Sequence, residues 1–182
     1  MGVLDFIKGS FSSSSQRVRD ADMGVYLLNA RNNLKLASEH IVRFLQETKD
    51  FDPALRHRRL YTEEIIGKLN LIRGGVRGGI HFLDEKMRNE LNTQNPIRNV
   101  AQLKQVVNEW IRTLNANDET KYDVLKILNV EMWSEERASR GFPLPRNKGA
   151  VCGYLNKALE HFYEARNNLE SYDSLEGVPA ES

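Results

Sequence analysis

A single cysteine, Cys152, stands in the 182 residues of this chain. It excludes an internal disulfide and leaves any cysteine-based zinc site short of ligands. Five prolines and twelve glycines exclude a collagen-like or proline-rich chain. No apolar run approaches the roughly 18 residues that a membrane-crossing helix needs. No segment alternates convincingly as a strand does. A dominant charge is missing too: 26 basic side chains face 25 acidic ones, so net charge selects no partner. What is present is 40% hydrophobic residues, enough for a sizeable core in a chain of one-domain length. Together these features predict a soluble, intracellular, globular protein, cytoplasmic or part of a particle.

Charge is nonetheless unevenly spread. Through Asn99 there are 16 basic and 12 acidic side chains, a net of +4. From Val100 onward 10 basic residues meet 13 acidic ones, a net of −3. Arginine outnumbers lysine 16 to 10, and arginine suits bidentate contacts with phosphate or carboxylate. This polarity fits anionic partners, copies of the chain meeting head to tail, or simply a solvated surface.

The chain divides into an apolar arm with a serine-rich tether (1–15), a helical body (16–173) and a disordered tail (174–182). In the arm, Val3, Leu4, Ile7 and Phe11 share one side of a short amphipathic helix. Neither a secretory leader nor a myristoylation pattern is present, since Phe6 stands where the latter needs Ser or Thr. Ser12 to Ser15 read as a flexible tether. The first nine residues resemble the start of membrane-remodelling proteins of the phage-shock type. That resemblance implies contact with a lipid surface, but the long hairpin of dense charged repeats found in that family is absent here.

Five helices are predicted. The first runs from Asp20 to about Lys49, where Met23, Leu27, Ala30, Leu34, Ala37, Ile41 and Phe44 recur at spacings of four and three. The second spans Pro53 to near Leu91, with Ile65, Leu69, Ile72, Val76, Leu83 and Met87 inward. Asn99 caps a third, a fourth covers about 119–140, and the last runs from about Lys148 to Asp173. Short connections make neighbours antiparallel. The expected fold is all-α, an antiparallel four- to five-helix bundle of long amphipathic helices with a short N-terminal arm. The word Ala30-Arg31-Asn32-Asn33-Leu34 returns as Ala165-Arg166-Asn167-Asn168-Leu169. Two readings stay open: convergent helical surfaces, or a duplicated hairpin.

The chemistry-bearing residues do not assemble into a reaction. Di-iron bundles use Glu-x-x-His pairs, and none of His40, His57, His81 and His161 has a glutamate three residues before it. The arginine-to-histidine spacing of helical-bundle ribonucleases of the HEPN type is also unmatched. Cys152 has no oriented base in prospect, so a non-enzymatic protein without cofactor or metal is expected.

Two other signals remain. Arg56, Arg58 and Arg59 form one basic cluster, and Arg73 with Arg77 forms a second within the tandem Arg73-Gly74-Gly75-Val76-Arg77-Gly78-Gly79-Ile80. As a loop this stretch would cradle phosphates; as a helix its glycines make a smooth strip for a close neighbour. Four helical glycines cost about 1 kcal/mol each relative to alanine, so packing must offset them. The expected interface residues are Leu4, Ile7, Phe11, Gly74, Gly75, Gly78 and Gly79. The expected partner is a second copy or another protein subunit. RNA or DNA backbone is the alternative, with a membrane surface less favoured.

Overall fold

The computed structural model describes residues 3–48, 59–91, 94–115 and 148–177, with side chains over 16–46, 66–91, 94–115 and 153–177. Among the described residues the chain is all-α. Its helices are α1 (Val3–Thr48), α2 (Arg59–Arg88), α3 (Val100–Leu114) and α4 (Lys148–Glu176). The helix expected over 119–140 lies outside the described residues.

Each helix forms where apolar residues recur at helical spacing. In α1 Leu27, Ala30, Leu34, Ala37, Ile41 and Phe44 are all buried. Leu155, Ala158, Phe162, Ala165, Leu169 and Tyr172 do the same in α4. Full burial of a Leu or Phe side chain stabilises by about 1.5–3 kcal/mol, so these facing rows dominate the packing. Two alanines in each row, Ala30 with Ala37 and Ala158 with Ala165, let the two helices approach closely.

The partners of α1 fix its direction relative to α4. The Arg19 guanidinium donates to the Leu175 and Glu176 carbonyls. Further along, Asn33 meets His161 and His40 lies against Tyr154. Numbers rise in one helix as they fall in the other, so the pair is antiparallel. Arg31 reaching Asp84 and Leu34 lying by Gly79 make α1 and α2 antiparallel as well. Lys104–Asp173 at 2.5 Å and Asn115–Tyr163 at 3.3 Å do the same for α3 and α4.

Helix ends follow local chemistry. Asn99 is extended (φ −151°, ψ 165°) and its Oδ1 accepts from the Gln102 N–H at 2.7 Å. Gln102 returns Oε1 to the Arg98 N–H at 3.0 Å, a variant of the reciprocal cap. At the end of α2, Asn89 takes φ 57° while its N–H bonds Lys86 O and the Glu90 N–H bonds Glu85 O. That pattern closes a helix through one left-handed residue, and asparagine tolerates the position. Below it, the buried Glu85 carboxylate accepts from Asn95 Nδ2 at 3.4 Å and pairs with His81 at 3.0 Å. Asn95 Oδ1 in turn accepts from the Ile97 N–H, tying the α2–α3 connection down.

Two boundaries differ from the sequence reading. Ser12 to Ser15 are helical within α1, not a tether. The serines interrupt neither with proline nor glycine, and a long helix propagates through neutral residues once nucleated. Residues 174–176, expected as tail, complete α4. There Arg19 satisfies terminal carbonyls, and Tyr172 Oη donates to Glu176 at 3.2 Å.

Candidate interaction surface

The glycine tandem lies inside α2, so it is a helix and not a phosphate loop. Its four glycines divide by face. A Cβ on Gly75 would stand 2.8 Å from Trp110 Cζ2, and one on Gly79 would stand 2.9 Å from Leu103 Cδ1. These two glycines let α3 press against α2, so they serve the protein's own packing and not the outer interface expected of them. Gly74 and Gly78 have nothing within 4 Å of their Cβ positions. Between them and Gly67 stands Leu71, 77% exposed. Arg73 and Arg77 occupy successive turns beside this strip, half-buried and exposed respectively. Arg56 and Arg58 lie outside the described residues, and Arg59 begins α2 with its side chain outside them. The side chains of Leu4, Ile7 and Phe11, all within α1, lie outside them too.

Among the described residues, a longer outward apolar row lies on α1, and the sequence reading missed it. Val18 is 62% exposed, Val25 52% and Leu28 46%. Val25 sits two residues from both Met23 and Leu27, about 200° round the helix from the buried row. With Ala21 these residues recur at spacings of three and four. In heptad lettering Val18 and Val25 fall at a, Ala21 and Leu28 at d, then Asn32 at a and Lys35 at d. The e positions are Asp22, Asn29 and Leu36. Every a, d and e residue from Val18 to Leu36 is exposed. The signal was legible: the same spacing runs back in the sequence through Phe11, Ile7 and Leu4. It was eclipsed by the stronger buried row in the same helix.

Flanking contacts hold α1 so that this side faces outward. Toward α2, Arg31 Nε donates to Asp84 Oδ1 at 2.6 Å, and that carboxylate raises the arginine's already high pKa. Toward α4, the His40 ring is stacked between Tyr154 (6.3 Å) and His161 (5.5 Å, planes 8° apart). Asn33 Nδ2 donates to Asn29 O, leaving its Oδ1 to accept from His161 Nδ1–H at 2.9 Å. Burial, then the nearby His161, Lys157 and Arg43, lower the His40 pKa below its ordinary value. Its Nδ1 is buried without a hydrogen-bond partner among the described residues.

The repeated Ala-Arg-Asn-Asn-Leu words behave alike where the helix alone decides. Ala30, Leu34, Ala165 and Leu169 are fully buried. Asn33 and Asn168 each donate to the carbonyl four residues back, at 3.0 and 2.8 Å. Their arginines diverge: Arg31 crosses to Asp84, while Arg166 pairs with Glu170 and lies over Tyr163.

Among the described residues no group of three or more His, Cys, Asp or Glu is placed to hold a metal ion. None of the described helices is long and apolar enough to cross a membrane. The chain matches no known family model, no curated protein and no solved structure.

Proposed function

We propose that this chain is a non-enzymatic, self-associating structural subunit that works through helix-to-helix contacts, as a component of a particle or filament. The proposed architecture is an antiparallel bundle of four to five helices, a reading supported by the opposed registers of α1–α4, α1–α2 and α3–α4. One observation carries the functional reading: α1 is apolar on two opposite sides, one filled by its own chain and the other exposed. Large apolar residues held at regular spacing on a rigid helix are what a partner helix requires. Sedimentation at low and high concentration tests the proposal. Mass rising with concentration is expected; a monomer at every concentration, indifferent to removal of residues 1–15, rejects it.

A second reading, binding to RNA or DNA backbone, is favoured by one observation. Arg73 and Arg77 lie on successive turns of α2 beside Gly74 and Gly78, where the helix surface is open. Arg56, Arg58 and Arg59 would extend that basic strip. Such binding would be indifferent to base sequence and would weaken steeply as salt rises. No retention of RNA or DNA at low salt disposes of it.

A further inference from the structure

The outward side of α1 has the residue choice of one particular assembly. From Leu4 to Leu28, over 25 residues, the apolar three–four spacing is broken only by Ser14 at one d position, and Asn32 at a and Lys35 at d continue it with polar side chains. Val at a with Leu at d favours two strands, and a polar asparagine at a single a position fixes register. Val18 and Val25 at a, Leu28 at the middle one of three d positions and Asn32 at a follow that preference, with Ala21 and Lys35 at the other two d positions, and all are exposed. Charge then selects orientation. In a parallel, in-register pair each g residue faces the e residue five positions on in the partner. Arg17 at g would face Asp22 at e, twice by symmetry, and both are exposed. The remaining g–e combinations from Val3 to Leu36 bring no like charges together, and the one like-charge meeting is Lys35 against its own copy at the last d position, where the seam ends. An antiparallel pair centred between Val25 and Leu28 would instead set Val18 against Lys35 and Asn32 against Ala21. It would leave Arg17 opposite Ser38.

Resting on the self-association reading, we infer that the occupant of this face is a second copy of the same chain. Its α1 lies parallel and in register, forming a two-stranded coiled coil along the side opposite the buried row. The dimer axis then runs along α1. Two bodies hang on either flank, and the α2 strip at Leu71 stays outside the contact.

The test uses the full-length chain and three kinds of variant. Val25→Glu with Leu28→Glu is expected to abolish the dimer while the circular dichroism spectrum keeps its helical signature. Val18→Cys, in a Cys152→Ser background, is expected to oxidise to a covalent dimer, because only the parallel arrangement sets position 18 against itself. Arg17→Asp alone should weaken the dimer on the order of tenfold, and adding Asp22→Arg should restore it. An oligomer that survives the double glutamate change with its helicity intact overturns the coiled coil but leaves self-association standing. Absent cross-linking at position 18 in an oligomeric protein overturns the parallel register. A parent chain that is monomeric at every concentration removes the underlying reading as well.

Discussion

Along one side of α1, Leu27, Ala30, Leu34, Ala37 and Ile41 are shut away from water; along the other, Val18, Val25 and Leu28 remain in it. Both rows follow the same spacing, on the same helix. They differ in what stands opposite. The inner row faces α4, whose own row repeats its alternation of large residues with alanine. From Val18 to Leu28 the outer row has valine, alanine and leucine at its core positions, with Arg17, Asp22 and Asn29 beside them, and Asn32 and Lys35 follow. That composition suits an interface that must be soluble before it forms. The lesson is that spacing marks a face for burial but does not say by what.

The sharpest way to break this comparison is to cut one residue from the α4 row that fills the inner side and one from the outer row. Phe162→Ala, removing the ring that packs at 5.4 Å from Trp110, is expected to cost about 3–5 kcal/mol in urea unfolding. Val25→Ala in the outer row should stay within about 0.5 kcal/mol for the isolated chain. Equal losses from the two would mean that the outer row is not outward.

The glycines give the next contrast, between neighbours. Gly75→Ala forces a Cβ onto the rigid Trp110 ring and should destabilise by about 1–3 kcal/mol despite better helix propensity. Gly74→Ala meets open space and should stabilise by up to about 1 kcal/mol. Thermal melting of the two single variants, side by side, reads the sign directly.

A titration sharpens what holds the inner side. His40 has a lowered pKa in the folded chain, caused first by burial and then by His161, Lys157 and Arg43. The unfolded chain therefore binds the proton more readily, and stability rises with pH where the two states differ. The contribution is complete above the ordinary histidine value of 6.5 and is lost as pH falls through that value toward the folded one. Melting temperature should drop between pH 7.5 and 5.5, and His40→Phe should flatten that drop. An unchanged slope in the variant would remove the ring stack from the account.

A small effect is expected at the α1–α2 flank. Arg31 and Asp84 are about one-third exposed, at 30% and 32%. Asp84→Asn should therefore cost only about 0.2–1 kcal/mol, and less at high salt. A larger loss would show that this pair, more than the apolar contacts, positions α1 against α2.

Much of the fold is readable from residue spacing because a helix places every third or fourth side chain on one side. Leu103, Val107, Trp110 and Leu114 of α3 and the α4 row are buried as that spacing implies. The cap at Asn99 is equally local. Other features depend on residues far apart in the chain. Glu85 and Asn95 are buried polar groups that satisfy each other across a connection, and the row pattern of α2 passes over both. Phe82 is buried beside Leu83, which a single-row reading of α2 also passes over. The Tyr154–His40–His161 stack exists only at one register of α1 on α4.

By itself the sequence determined that α1, α2, α3 and α4 are helices and which rows of residues seek burial, because backbone hydrogen bonding and side-chain period are local properties. Only the tertiary structure decided which of α1's two rows meets the chain's own core. It also decided which two of the four tandem glycines admit Trp110 and Leu103. Those choices depend on the size and shape of what lies opposite, and no stretch of sequence contains both sides of a contact.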